Sequence, residues 1–120
     1  MKEREILKVI LDWLSWQKDI WHMRMNTGAV KIDKRFIRFN KPGCPDILVM
    51  SRGRMLALEV KTAKGKQSDL QTAWAKEWEA HGGMYRVVRC LDDAARAVDS
   101  LQNSILVAVS RGRKAEEIEK

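Results

Sequence analysis

Ile6, Leu7, Ile10, Leu11 and Leu14 recur every three or four positions, the spacing that lines one face of a helix, so an amphipathic α-helix is predicted from Glu3 to about Trp16. On a wheel of roughly 100° per residue Glu3 falls inside the apolar arc, whereas Glu5, Lys8 and Asp12 fall opposite it, and the pattern turns Glu3 inward. A β-leaning stretch follows around Trp21-His22-Met23-Arg24-Met25, then a polar, basic segment that carries Phe36-Ile37-Arg38-Phe39 and is punctuated by Gly28 and Pro42-Gly43. Ile47-Leu48-Val49-Met50 and Met55-Leu56-Ala57-Leu58-Glu59-Val60-Lys61 flank the turn Ser51-Arg52-Gly53-Arg54 and predict a hairpin. Ser68-Asp69-Leu70-Gln71 has the S-x-x-Q form of a capping box and opens a helix with Leu70, Trp74 and Trp78 along one face, ending near His81-Gly82-Gly83. Tyr85 to Cys90 reads as a strand, Asp92 to Leu101 as a helix and Ile105 to Val109 as a last strand. The predicted order is helix, three strands, helix, strand, then an appended helix and strand.

The chain has 120 residues, 45% hydrophobic and 32% charged, with two Pro and seven Gly, which excludes disorder and low complexity and gives enough apolar material for one core. With no repeat and no linker, residues 1–110 are read as a single domain and 111–120 as a charged, fraying tail. No apolar run has the length of a membrane span, and Met1-Lys2-Glu3-Arg4-Glu5 is too acidic for a signal peptide, so a soluble, cytoplasmic protein without a membrane partner is expected. Cys44 and Cys90 lack a CxxC partner, which argues for two free thiols over a disulfide framework or a structural zinc.

Charge changes the picture further. The net +7 is concentrated between Arg24 and Lys41, where six basic residues (Arg24, Lys31, Lys34, Arg35, Arg38, Lys41) face one acid, Asp33. Such clustering is the footprint of a polyanion partner, because Lys and Arg neutralise phosphates and release counterions. A solvated surface would carry the same charge, so the segment alone does not decide.

The hairpin adds chemistry. Centring its turn between Arg52 and Gly53 sets Asp46 across from Glu59. Opposed residues of an antiparallel pair have Cβ atoms about 5 Å apart, and like charges there repel, so a positive group is needed between them. Lys61 lies two residues from Glu59 and projects from the same face, while Val60 points to the other. Two carboxylates and an ammonium therefore gather at one end of one hairpin.

Gly43-Cys44-Pro45-Asp46, followed thirteen positions after the aspartate by Glu59-Val60-Lys61, resembles the two halves of the PD-(D/E)XK nuclease motif. Glu3-x-x-Ile6, Arg24-x-Asn26-x-Gly28 and Ser68-x-x-Gln71 narrow the resemblance to the VRR-NUC family of virus-type replication and repair nucleases, over about Glu3 to Leu91. The resemblance implies a restriction-endonuclease-like α/β fold with an αβββαβ core, its mixed central sheet flanked by helices. It implies a phosphodiester hydrolase, a Mg²⁺- or Mn²⁺-dependent endodeoxyribonuclease. Its metal would be held by Asp46, Glu59, the backbone carbonyl of Val60 and a helix-1 acid, for which Glu3 and Glu5 both align and the wheel favours Glu3. Lys61 would position or deprotonate water, and Gln71 would orient the water or a carboxylate. Small stand-alone members of the family point to a homodimer acting on four-way junctions or other branched DNA, in phage or mobile-element replication and repair.

The requirement is chemical. A phosphodiester is an anion, so its hydrolysis calls for a hard cation that neutralises developing charge and supplies hydroxide, and hard cations take oxygen ligands. Each residue has a plainer reading: Glu59 with Lys61 as a surface ion pair, Gln71 as a capping residue, Lys64 and Lys66 as solvated loop lysines in place of phosphate contacts. Arg24 and Asn26 either read substrate or hold the basic segment. Trp13, Trp16, Trp74 and Trp78, at helical spacing, are expected in the core or an interface, and Trp21 stands apart as a stacking candidate. His22 and His81 lack ligand spacing, and Cys44 lacks a base that would make it a nucleophile. A catalytically silent nucleic-acid-binding module would share the basic segment, yet would have no need to bring Asp46, Glu59 and Lys61 together.

Overall fold

The computed structural model describes residues 1–25, 29–32, 35–38 and 42–119, with backbone alone for 29–32, 35–38 and 106–119. The elements in chain order are α1 (Glu3–Ser15), β1 (Trp21–Arg24), β2 (Ala29–Ile32), β3 (Arg35–Arg38), β4 (Ile47–Ser51), β5 (Arg54–Val60), α2 (Asp69–Ala80), β6 (Met84–Val88) and α3 (Leu91–Glu119). Four strands form one mixed sheet in the order β1-β4-β5-β6, in which β5 and β6 run parallel and the other pairs antiparallel. The parallel pair requires a crossover, and α2 provides it. This is the mixed sheet flanked by helices that the sequence implies.

Strand alternation divides the molecule into layers. Ile47 and Val49 of β4 and Leu56, Leu58 and Val60 of β5 enter one core with Ile6, Ile10 and Leu14 of α1 and Ala94, Ala97, Val98 and Leu101 of α3. The intervening residues face the other way, where Ala57, Ala75 and Tyr85 pack with Leu48, Trp74, Trp78 and Val87 under α2. Trp74 and Trp78 stack at 4.9 Å between ring centroids, and the Trp78 Nε1 donates to the carbonyl of Met84, which satisfies its polar edge.

The β4–β5 register pairs Ile47 with Leu58 and Ser51 with Arg54, the alignment predicted from the turn. Arg52 and Gly53 both have positive φ, +48° and +81°, as a type I′ turn requires, and its twist matches that of the strands. Helix α2 begins at a complete capping box: the Ser68 hydroxyl accepts from the Gln71 N–H and the Gln71 Oε1 accepts from the Ser68 N–H.

Four expectations change. Ile105 to Val109 belongs to α3, which runs unbroken through Glu119; a short apolar run fits strand or helix, and no Gly or Pro lies between Leu101 and Ile105 to stop the helix already under way. The tail from Arg111 is helical up to Glu119. The basic segment, given no element of its own from the sequence, contains the two-stranded antiparallel sheet β2-β3, pairing Ala29 with Arg38 and Ile32 with Arg35. Leu70, expected along one face with Trp74 and Trp78, is a surface residue, 57% exposed, because it lies in the first turn of α2, outside the cover of the sheet; Trp16, expected in the core or an interface, lies just beyond the end of α1 and is 84% exposed, outside the core.

Candidate active site

Asp46 is stitched into the end of the sheet before its side chain is considered. Its N–H donates to the carbonyl of Leu58 (3.1 Å) and its carbonyl accepts from the N–H of Met25 (2.8 Å), which ties it between β1 and β5. The carboxylate then turns across the hairpin and accepts from the N–H of Val60 at 2.7 Å. The loop that delivers it needs glycine at position 43: φ is +84°, and a Cβ there would overlap the backbone carbonyl of Leu70 at the start of α2. The first residue of the G-x-P-D signature thus seats the Asp46 loop against the helix that carries Gln71.

Glu59 shares the sheet face of Ala57, under α2, and is 3% exposed. Gln71 Nε2 donates to its Oε1 at 2.7 Å, and Lys61 Nζ stands 3.9 Å from the same oxygen. Oε2 is buried and has no hydrogen-bond donor among the described residues. Two cationic or donor groups therefore address one oxygen, and the other is left open beside Asp46.

The electrostatics follow from that crowding. Burial, then the Asp46 charge, push the Glu59 carboxyl up to about 8; Lys61 opposes, Glu3 adds to the rise, and a hydrogen bond shared with Asp46 favours the protonated form. An ammonium 3.9 Å away is worth roughly 4 kcal/mol at an effective dielectric near 20, and it loses to desolvation plus the second carboxylate. Burial also raises Asp46, against the Val60 hydrogen bond, with Glu3 raising it and Lys61 and Arg24 lowering it. Burial, with Glu59 and Asp46, holds the buried Cys44 thiol above its ordinary value, which removes it as a nucleophile.

The structure thus brings together Asp46, Glu59, Lys61, Gln71 and the Val60 peptide. Glu3 is placed differently from the expectation. It is exposed, since α1 begins at this residue and its buried face starts only at Ile6, yet its charge still reaches both carboxylates. Among the described residues no three His, Cys, Asp or Glu side chains converge into a ligand cluster. Arg24, exposed at the end of β1 and paired with Ile47, is close enough for its charge to lower Asp46. Lys64 and Lys66 are exposed on the loop after Lys61. Lys34 and Lys41 lie outside the described residues, as do Asn26 and Gly28; so do the side chains of Lys31, Arg35 and Arg38, whose backbones form β2 and β3.

Two residues escape a reading of the sequence. Arg89 Nη1 donates to the carbonyls of Thr62 (2.5 Å) and Gly65 (2.7 Å), while the N–H of Lys61 donates to the carbonyl of Val88, so the end of β6 braces the loop behind Lys61. Gln67 Nε2 donates to the Tyr85 hydroxyl at 3.0 Å, and burial holds that phenol up to about 12. No spacing links Arg89 to backbone carbonyls more than twenty positions away, so only the fold reveals the brace.

No protein-family profile matches the sequence, and no curated protein matches it either. Four solved chains share its structure. One, described as a VRR_NUC domain, superposes with a TM-score of 0.54 over 81% of this chain and 90% of that one, at 17% sequence identity. The chain has the VRR_NUC fold. In this VRR_NUC fold, Asp46, Glu59 and Lys61 occupy the open end of the β4–β5 hairpin, and Gln71 reaches them from the opening turn of α2.

Proposed function

We propose that the protein is a metal-dependent DNA endonuclease whose site is Asp46, Glu59, Lys61 and Gln71. The observation that carries this reading is the Asp46–Glu59 pair: Gln71 and Lys61 address Glu59 Oε1, no side-chain or backbone donor among the described residues reaches the buried Oε2, and without a cation only a shared proton joins the two carboxyl groups. A buried carboxylate beside a half-buried one, without a full set of donors, is costly to the fold when both are ionised unless a cation joins them. The donors are hard oxygens, and Mg²⁺ is commonly held by one or two carboxylates with water filling the remaining positions, so the residues present fit Mg²⁺ or Mn²⁺. Asp46 and Glu59 would hold the ion, with the Val60 carbonyl as a further oxygen and water in the remaining positions, while the exposed Glu3 acts on the site through its charge; when bound, the ion supplies charge neutralisation and an acidified water.

The chain's own residues do the rest. Gln71 holds Glu59 by Oε1 and so leaves Oε2 free. The Val60 N–H holds the Asp46 carboxylate in place and favours its ionised form against the stronger effect of burial. Lys61, on the face of Glu59, sets a positive charge where the phosphate of the substrate gains negative charge. Arg24 and the exposed Lys64 and Lys66, with Lys31, Lys34, Arg35, Arg38 and Lys41 of the basic segment, give the DNA backbone its contacts.

Branched DNA cut by a homodimer completes the proposal. One domain carries one site and cuts one strand, and a two-fold pair supplies two symmetric cuts. Trp16, Trp21 and Met23, exposed at 84%, 47% and 43%, favour pairing, since aromatic residues and Met are enriched at interfaces. Among the described residues no helix is long and apolar enough to cross a membrane. The test is a panel of labelled duplex, flap, fork and four-way-junction DNAs incubated with Mn²⁺, with Mg²⁺ and with EDTA. Cutting of branched forms in either metal and none in EDTA is expected; full activity in EDTA overturns the reading. Light scattering should give twice the 13.9-kDa chain mass, and a monomer rejects the dimer.

A further inference from the structure

A cavity of about 520 Å³ opens beside the candidate site, between the start of α1, the loop after Lys61 and the junction of β6 with α3. Its walls are apolar, formed by Ile6 and Val9 of α1, Ala63 of the loop and Leu91 at the start of α3, while Lys64 and Arg89 line it with positive charge. Its volume lies in the ~300–1,000 Å³ range of pockets that enclose small ligands. Two of its walls are shared with the site: the loop residue Thr62 follows Lys61 directly, and Glu3 lies on the same turn of α1 as Ile6.

We propose that this cavity takes one unpaired nucleotide of the DNA substrate, its base between the apolar walls and its phosphate on Lys64 and Arg89. The inference rests on the nuclease reading and deepens it. Arg89 commits Nη1 to the carbonyls of Thr62 and Gly65 and its backbone N–H to Asp93, which fixes the guanidinium at the cavity wall, and its remaining guanidinium nitrogens have no partner among the described residues and are available to an anion. The brace holds Lys64, two residues from Thr62, on the same rim. A base in a duplex must be unstacked to enter such a pocket, and that cost is least where the base is already single-stranded. Preference for flaps and forks, which carry unpaired nucleotides, over plain duplex then follows from one cavity, with no sequence readout.

Cys90 gives a direct reporter, because it is exposed and lines the cavity while Cys44 is buried. The full chain is incubated with a thiol-reactive dye in Ca²⁺, alone, with plain duplex, and with the same duplex carrying a one-nucleotide flap. Flap DNA is expected to slow Cys90 labelling at least tenfold, and plain duplex less than twofold. Ala63→Trp, which fills the cavity, is expected to reduce a tenfold or greater binding preference for flap over duplex to within twofold. Val9→Glu, which puts a negative charge in the wall, should do the same where the larger substitution does not fold. Equal labelling with both DNAs, or a flap preference retained in a folded variant, overturns the proposal. Flap protection in a protein that never cuts DNA in Mn²⁺ leaves the pocket standing and rejects the nuclease reading; cutting without protection does the reverse.

Discussion

Replacing Glu59 by Gln should make the protein more stable and inactive at once. In the unfolded chain this carboxyl gives up its proton near 4.5, and in the folded chain near 8. Its contribution to stability is therefore complete below pH 4.5, declines as the pH rises and is lost above 8. At pH 7 the folded protein still holds a proton that the unfolded chain has released, which costs about 3 kcal/mol at 1.36 kcal/mol for each tenfold. Glu59→Gln removes the cost and keeps the shape: its amide oxygen can still accept from Gln71, and its NH₂ can donate toward Asp46. We expect the variant to exceed the parent by about 2–3 kcal/mol at pH 7, or about 10 °C in Tm for a domain of this size, and to match it near pH 4.5. Urea titrations from pH 4.5 to 8.5 in EDTA measure this. Parallel pH profiles for the two proteins, or a less stable variant at pH 7, would refute the electrostatic account of the site. Adding Mg²⁺ should stabilise the parent and leave the variant unchanged.

Gly43→Ala should lower stability by about 1–3 kcal/mol and activity by a larger factor, because the new methyl must push the start of α2, and Gln71 with it, away from Glu59; chemical denaturation and cleavage rates on one preparation separate the two effects. Gln71→Ala removes a helix cap and a carboxylate ligand together, so a loss of about 1 kcal/mol in stability should accompany a fall in kcat with little change in DNA affinity, measured by anisotropy. Charge reversal of Lys34, Arg35 and Arg38 together should weaken DNA binding and flatten its salt dependence while sparing turnover at saturation; an unchanged salt slope assigns the basic segment another role.

The sequence was most legible where geometry is local. A two-residue turn fixes the register of its strands, so the facing of Asp46 and Glu59 could be worked out from residue numbers, and the S-x-x-Q pattern marked the start of α2 to the residue. Gln71 posed a choice between cap and site that the fold does not make: one end of its amide serves the Ser68 N–H and the other serves Glu59. Legibility failed where a signal was short or shared. Ile105 to Val109 carries no period that distinguishes strand from helix, and the wheel that placed Glu3 inward took no account of where the helix emerges from the sheet. The Arg89 brace and the cavity beneath it depend on three segments meeting, which no local pattern records.

The alternation along β5 limits how this gene can change. Leu58 and Val60 belong to the core while Glu59 and Lys61 belong to the site, so one codon gained or lost within the strand turns the protein inside out at that end. Lengthening the hairpin is tolerable only in pairs, one residue on each strand. Descendants that keep the Arg52-Gly53 type of turn should therefore separate their two acidic positions by thirteen plus or minus an even number. An even separation marks a lineage that has acquired a bulge or a different turn, and an alignment that slides one acid by a single column to close a gap has matched a core position to one on the opposite face.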